Sequence, residues 1–129
     1  MGFELVNLGA HSVVFDEGDT GDAAYIIREG KVEIRKAVRS ANPVTLAVLD
    51  HGETFGELAL FDDRPRMASA IALTEVQLIK MPRDIFIAKL AQMDPAMKII
   101  VLKMVLRVRE MADEFMLKKV DPSWASWKK

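Results

Sequence analysis

Polar and apolar residues alternate in short runs through the first two thirds of the chain. Within residues 31–35, Lys-Val-Glu-Ile-Arg, the charged side chains share one face and Val32 and Ile34 the other; residues 76–80 alternate less regularly. This spacing is typical of antiparallel sheets that pack one face on a core and expose the other to water. Glycine and proline bound the runs, which predicts strands at 12–15, 24–28, 31–37, 44–49, 67–72 and 76–81. Many short strands with no helix between them predict a sandwich, roll or barrel.

A helical spacing replaces the alternation after Pro82. One helix is predicted over residues 83–93. A second is expected to extend to about Lys119, because Asp94 is a good N-cap and Pro95 suits the first helical position. Its apolar residues recur at intervals of four and three, at Met97, Val101, Met104, Val108, Met111 and Phe115.

This recurrence is the a/d pattern of a coiled-coil seam, sustained for nearly three heptads. Four further residues widen the apolar stripe: Ile100, Val105, Ala112 and Met116. A stripe wider than a/d predicts contact with two surfaces, a partner helix and the helix's own β-region. The 95–119 helix is therefore interpreted as a lid or as the seam of a homodimer. Trp124 and Trp127 lie beyond it, and either fold back or pack on a partner.

Composition excludes several classes of protein. The 129 residues include 18 Lys and Arg against 19 Asp and Glu, and a net charge of −1 argues against direct binding of nucleic acid. Cysteine is absent, which excludes disulfides, thiolate metal sites and cysteine nucleophiles. No targeting sequence or membrane-spanning apolar stretch is present, so a cytoplasmic protein is expected. His11 and His51 are isolated in sequence, and we predict no metal site.

Residues 55–69, Phe-Gly-Glu-Leu-Ala-Leu-Phe-Asp-Asp-Arg-Pro-Arg-Met-Ala-Ser, carry the candidate chemistry. Gly56 permits a sharp turn and a close approach by a ligand, and a short helical turn beginning at Glu57 offers unpaired N–H groups to an anion. Pro65 fixes the chain before Arg66, whose guanidinium can bind a phosphate through two parallel hydrogen bonds. Because Glu57 would repel a phosphate, its presence predicts a nearby hydroxyl donor, such as a ribose 2′-OH.

This segment resembles the phosphate-binding cassette of cyclic nucleotide-binding domains, which occur in protein kinase A regulatory subunits, catabolite activator proteins and cyclic-nucleotide-gated channels. Residues 14–34, Val-Phe-Asp-Glu-Gly-Asp-Thr-Gly-Asp-Ala-Ala-Tyr-Ile-Ile-Arg-Glu-Gly-Lys-Val-Glu-Ile, are similar to the family's glycine-punctuated hairpin. The resemblance covers about residues 9–90. It implies a mainly β fold, an antiparallel β-roll with a short cassette helix, followed by two helices.

The resemblance also implies a role for each cassette residue. Glu57 would bind the ribose 2′-OH and Arg66 the phosphate. Backbone amides would complete the phosphate cradle, at Gly56, Leu58 and Ala59 before the arginine and at Met67 and Ala68 after it. Family members selective for cGMP often carry threonine directly after the arginine. Met67 occupies that position here, so the resemblance favours cAMP over cGMP as the ligand.

We interpret the chain as a cAMP-binding regulatory or sensor domain in signal transduction, with no catalytic activity and no cofactor. Residues 1–93 would form the β-roll with its first following helix, and residues 94–129 the long helix and tail of the same domain. Ligand binding would move the C-terminal helix against an effector protein that the sequence does not identify. Nothing after Lys119 resembles a helix-turn-helix, a kinase or a channel. The chain is thus expected to be either an excised sensor or a stand-alone domain.

Two alternatives remain open at this point. The first is a dimerisation or interaction module of the same fold whose pocket no longer binds cyclic nucleotide; the heptad seam motivates it. The second is a roll-fold metal enzyme, which the two isolated histidines disfavour. At the level of residues, Arg66 could instead pair with Asp62 or Asp63 on the surface, and Glu57 could be an ordinary acidic residue in a helical first turn.

Overall fold

A computed structural model describes residues 2–38, 40–61 and 63–120, with the side chains of 116–120 left aside. Eight strands come first and two helices follow. The strands are β1 (Glu4–Leu8), β2 (Val13–Phe15), β3 (Ala23–Glu29), β4 (Val32–Lys36), β5 (Val44–Leu49), β6 (Thr54–Phe55), β7 (Ser69–Ala72) and β8 (Val76–Pro82). A 3-10 helix at Glu57–Leu60 lies between β6 and β7, and the helices are α1 (Arg83–Ala91) and α2 (Pro95–Val120).

The strands form two antiparallel four-stranded sheets. One has the order β1-β8-β3-β6 and the other β2-β7-β4-β5. Except for β4 and β5, which pair with each other, successive strands lie in different sheets. Residues distant in sequence therefore become neighbours: Phe15 pairs with Ala70, and Tyr25 pairs with both Phe55 and Lys80. This arrangement confirms the mainly β roll with two C-terminal helices.

The core of the roll combines a few large side chains with several alanines. Ile27, Val32 and Leu78 are the largest fully buried side chains, and three alanines beside them are completely buried, at positions 23, 70 and 72. Small residues let the two sheets approach closely. Phe15, Tyr25 and Phe55 form an aromatic group with ring centroids 5.2–6.1 Å apart. These rings adjoin the segment that carries the candidate site.

All six predicted strands are present, with bounds that differ by at most two residues. The largest difference is at β7, which begins at Ser69 rather than at residue 67. Two strands were not predicted. In β1, Leu5 and Val6 are adjacent apolar residues and Leu5 is half-exposed, so the alternation is broken. β6 has two residues and is too short to show a period.

Both helices confirm the predicted starts. Asp94 caps α2, since its Oδ1 accepts a hydrogen bond from the amide of Ala96 at 2.9 Å. Helix α1 ends at Ala91, two residues before the predicted end. The chain divides into two compact units, Met1–Lys89 and Leu90–Lys129. Neither described helix is long and apolar enough to cross a membrane. Trp124, Trp127 and the Met116 side chain lie outside the described residues.

Candidate functional site

The cassette begins with a left-handed glycine and a short helix, as the sequence predicts. Gly56 has φ 71° and precedes the 3-10 helix Glu57–Leu60. Ala59 and Leu60 are buried, whereas Glu57 is exposed at the first helical position. The amide of Ala59 donates to the carbonyl of Gly56 at 3.2 Å, which closes the first turn. The helix is thus anchored by its second half and presents the Glu57 carboxylate to solvent.

Arg66 is buried beneath this turn, with 9% of its surface exposed. Its Nη2 donates to the carbonyl of Ala23 at 2.8 Å and its Nη1 to the carbonyl of Gly56 at 3.1 Å. The guanidinium carbon lies 3.9 Å from the ring centroid of Phe15. Because Arg66 bonds to Gly56, the turn at Gly56 and the segment around Arg66 are in direct contact.

The buried guanidinium is incompletely satisfied. Its Nε has no hydrogen-bond partner, and Arg66 forms no ion pair with a carboxylate among residues 2–38, 40–61 and 63–120. Desolvation by burial lowers the pKa of Arg66, although Tyr25, Asp22 and Asp19 act in the opposite direction. A buried cation with no carboxylate at ion-pair distance is costly. The site is therefore electrostatically suited to an anion.

Two glycines provide the space for Arg66. A Cβ placed on Gly21 would lie 2.6 Å from Nε of Arg66, and one on Gly56 would lie 2.7 Å from Nη1. Neither distance is sterically acceptable. Gly56 was predicted to permit a close approach by a ligand, whereas here Gly56 and Gly21 both permit the close approach of the Arg66 side chain.

The backbone around Arg66 is fixed by the loop that follows β2. The amide of Arg66 donates to the carbonyl of Asp19, and the amide of Gly18 donates to the carbonyl of Arg66, each at 2.8 Å. Thr20 and Pro65 form an isolated antiparallel bridge. The glycine-punctuated hairpin and the cassette, the two segments that carry the sequence resemblance, are therefore bonded directly to each other.

A second basic residue lies beside the segment after Arg66. Lys36 Nζ donates to the carbonyl of Met67 at 2.9 Å and lies 2.8 Å from Oε2 of Glu17. Burial raises the pKa of Glu17, but the hydrogen bonds from Lys36 and Ala37 and the charge of Lys36 together lower it below the ordinary value. Glu17 and Lys36 therefore form an ion pair, and Lys36 also bonds to the cassette backbone at Met67.

Arg83, at the start of α1, contacts the cassette from another direction. Its Nε donates to the carbonyl of Ala59 and its Nη2 to the carbonyl of Gly21. One side chain thus joins the 3-10 helix to the loop before β3. Sequence reasoning did not single out Arg83, Lys36 or Phe15, because none of them lies within the 55–69 motif and only the fold brings them to it.

The remaining predicted residues lie next to Glu57 or Arg66 in the chain. Met67 is partly exposed and Ala68 is buried, directly after Arg66. Leu58 is partly exposed between Glu57 and Ala59. Asp62, one of the two surface partners considered for Arg66, lies outside the described residues. Among the described residues, no group of three histidines, cysteines or carboxylates is arranged to hold a metal ion.

Known proteins share this sequence pattern over more than half of the chain. A family model described as the cyclic nucleotide-binding domain matches residues 5–93. The chain is 42% identical over 71 residues, 55% of its length, to the CRP-like cAMP-activated global transcriptional regulator of Mycobacterium tuberculosis, and covers 32% of it. It is 35% identical over 95 residues, 74% of its length, to the cAMP-dependent protein kinase regulatory subunit of Aspergillus niger, and covers 22% of it. The chain thus spans a third or less of these relatives.

Solved structures show the same fold. The cAMP-bound form of the EAL enzyme Bd1971 matches with a TM-score of 0.71 and 28% identity, over 97% of this chain and 33% of that chain. Its cGMP-bound form matches with the same values. The domain architecture described above therefore occurs in proteins solved with either cyclic nucleotide.

Proposed function

Because the chain belongs to the cyclic nucleotide-binding domain family, we propose that it is a regulatory domain that binds cAMP in preference to cGMP. The family membership confirms the resemblance drawn from residues 14–34 and 55–69. We propose further that the chain has no catalytic activity of its own and needs no cofactor. One structural relative is an EAL enzyme, but this chain covers 33% of it.

The burial of Arg66, which forms no ion pair with a carboxylate in the described part of the chain, supports this proposal most strongly. Arg66 is held by two backbone carbonyls and leaves Nε without a partner. A cyclic phosphate would supply the missing negative charge and accept two parallel hydrogen bonds from the guanidinium. The burial of Arg66 favours this role over a solvated surface pair with Asp63.

Glu57 would bind the other end of the ligand. Glu57 is the first residue of the 3-10 helix and directly follows Gly56. The Gly56 carbonyl accepts a hydrogen bond from Arg66. We propose that Glu57 accepts a hydrogen bond from the ribose 2′-OH, with the amides of Gly56, Leu58, Ala59, Met67 and Ala68 around the phosphate. Since the Ala59 amide is bonded to the Gly56 carbonyl, its participation requires that bond to open.

The preference for cAMP rests on Met67. A thioether side chain cannot donate the hydroxyl hydrogen bond that threonine offers to guanine. One structural relative, the EAL enzyme Bd1971, was solved in a cAMP-bound and in a cGMP-bound form. The two nucleotides are therefore to be titrated side by side, and a lower Kd for cAMP is expected.

Helix α2 would carry the response. Five of the six predicted seam residues are exposed, at Met97, Met104, Val108, Met111 and Phe115. Because these residues repeat at a/d spacing, two copies of the helix would present complementary seams. We propose that α2 is the surface of a homodimer or of contact with an effector, and that nucleotide binding changes its position. Such coupling is typically worth about 1–3 kcal/mol and is reciprocal.

Calorimetric titration with cAMP tests the proposed ligand site. We expect a Kd in the micromolar range for the parent chain, equivalent to about −8 kcal/mol. Arg66→Ala removes about two charge-assisted hydrogen bonds, worth roughly 1.5–3 kcal/mol each, and should weaken binding by about 100-fold or more. Arg66→Lys keeps the charge but not the paired donors, and should fall between the two.

Arg64→Ala is the matched control, since Arg64 is an exposed arginine of the same segment. It should bind cAMP as the parent does. Equal affinity of Arg66→Ala and the parent would refute the assigned role of Arg66. Absence of binding by the parent to both cAMP and cGMP at millimolar concentration would refute the proposed function and favour the interaction module.

A further inference from the structure

Lys36 lies outside both the hairpin motif of residues 14–34 and the cassette of residues 55–69, yet it bonds to the backbone directly after Arg66. Its ammonium donates to the Met67 carbonyl at 2.9 Å. The same ammonium is held by Glu17 Oε2 at 2.8 Å. Glu17 is itself fixed at two points, because its Oε1 accepts from the amide of Ala37 at 2.8 Å and its own amide donates to Ser69 Oγ at 2.9 Å. Lys36 therefore has a defined position rather than a freely rotating ammonium.

The Met67 carbonyl matters because it belongs to the same peptide group as the Ala68 amide. A peptide group is planar and trans, so its C=O and N–H point in opposite directions. Holding the Met67 carbonyl on Lys36 fixes the direction of the Ala68 N–H. Residues 67 and 68 precede β7, whose pairing with β4 begins at Ser69, and Lys36 bonds to the Met67 carbonyl at this point.

We infer that Lys36, anchored by Glu17, is a positioning residue for cyclic nucleotide binding: it orients the Met67–Ala68 peptide that follows the phosphate-binding arginine. This inference rests on the proposed function. It extends the site to Lys36 at the end of β4 and to Glu17 in the loop after β2. Lys36 is not proposed to touch the nucleotide.

The burial of the pair makes the contact worth testing. The Lys36 and Glu17 side chains are 25% and 32% exposed, against 53% and 60% for Lys31 and Asp50, a pair at 3.5 Å on the surface. Screening by solvent is weaker for the partly buried pair. Lys31→Met removes the same charge from the same chain, which makes it the matched control for Lys36→Met.

The test is calorimetric titration of cAMP into the parent, Lys36→Met, Lys36→Arg, Glu17→Gln and Lys31→Met, with a thermal melt of each. Misalignment of one amide costs about one hydrogen bond, so Lys36→Met should weaken binding about five- to tenfold. Methionine retains the apolar stem of lysine, which limits the effect on folding. Lys36→Arg still donates to the carbonyl and the carboxylate, and should bind within about twofold of the parent.

The remaining variants separate the possible outcomes. Glu17→Gln should weaken binding by less than Lys36→Met, because the ammonium loses its anchor but keeps the carbonyl contact. Lys31→Met should bind as the parent does. Parent-like affinity of Lys36→Met, or equal weakening by Lys36→Met and Lys31→Met, would overturn the inference while leaving the proposed function intact. If the parent itself does not bind cAMP, both the inference and the proposed function are overturned. That outcome is recognisable because no variant would bind cAMP either.

Discussion

The β-roll and helix α2 place their apolar side chains in opposite environments. In the roll, Ile27, Val32 and Leu78 are fully buried. In α2, Met104 and Met111 are 57% and 66% exposed. Both regions are rich in apolar residues, so composition does not distinguish them. The difference lies in whether the chain covers those residues.

This contrast indicates a division of roles. Burial of apolar area stabilises the roll by about 25 cal/mol per Å², and the roll obtains this stabilisation from its own strands. The exposed residues of α2 gain it only when a further surface covers them, and continuous apolar patches of this kind usually mark interaction sites. The roll therefore holds the proposed ligand site, and α2 is the part suited to contact a partner.

The largest expected effect is on the free energy of unfolding, and it is measured by replacing one leucine in the roll and one in α2. Leu78→Ala creates a cavity in the roll and should lower the free energy of unfolding by about 2–5 kcal/mol. Leu106 in α2 is 58% exposed, and Leu106→Ala should change the same quantity by less than about 1 kcal/mol. Urea denaturation of both variants measures the difference. Equal losses would show that the roll and α2 do not differ in the way described.

A smaller effect is expected from Gly21→Ala. The added Cβ would lie 2.6 Å from Nε of Arg66, and such overpacking typically costs about 1–3 kcal/mol. Because the guanidinium must move, the variant should also bind cAMP more weakly. Gly9→Ala is the control, since its Cβ would meet only Ser12 Oγ, at 4.0 Å. A Gly21→Ala variant with parent-like stability and affinity would contradict the close packing around Arg66.

The smallest effect on stability is expected in α2. Replacing Met104 and Met111 by glutamate should leave the free energy of unfolding of the roll within about 0.5 kcal/mol of the parent, because both side chains are exposed. The same double variant should sediment as a monomer where the parent forms a dimer, since charges in an a/d seam oppose association. If the parent sediments as a monomer at every concentration, the homodimer is excluded and an effector remains as the partner.

The sequence predicted the parts of the fold that local patterns encode. Alternation located the strand that contains Val32 and Ile34, and Asp94 with Pro95 located the start of α2. The strand Thr54–Phe55 was missed because two residues carry no period, although Phe55 packs against Tyr25 at 5.2 Å. Residues 67 and 68 were predicted as strand because their composition resembles one, whereas strand pairing begins at Ser69.

The candidate site divides in the same way. Gly56, Glu57 and Arg66 were predicted because they lie within one motif of 15 residues. Arg83 and Lys36 were not, because each reaches the cassette across the fold: Arg83 to Ala59, 24 residues away, and Lys36 to Met67, 31 residues away. A basic residue at the end of a strand or the start of a helix gives no local signal of such contacts.

The hydrogen bond from Arg66 to Ala23 has a consequence for when the binding site exists. It spans 43 residues, and the ring beneath the guanidinium, Phe15, is more distant still. Contacts of such separation form only once much of the chain has closed into its final topology. A synthetic peptide of residues 55–69 would thus carry the whole recognisable motif and yet have no pocket. The motif is present in the unfolded chain, whereas the contacts that hold Arg66 exist only after the chain has folded.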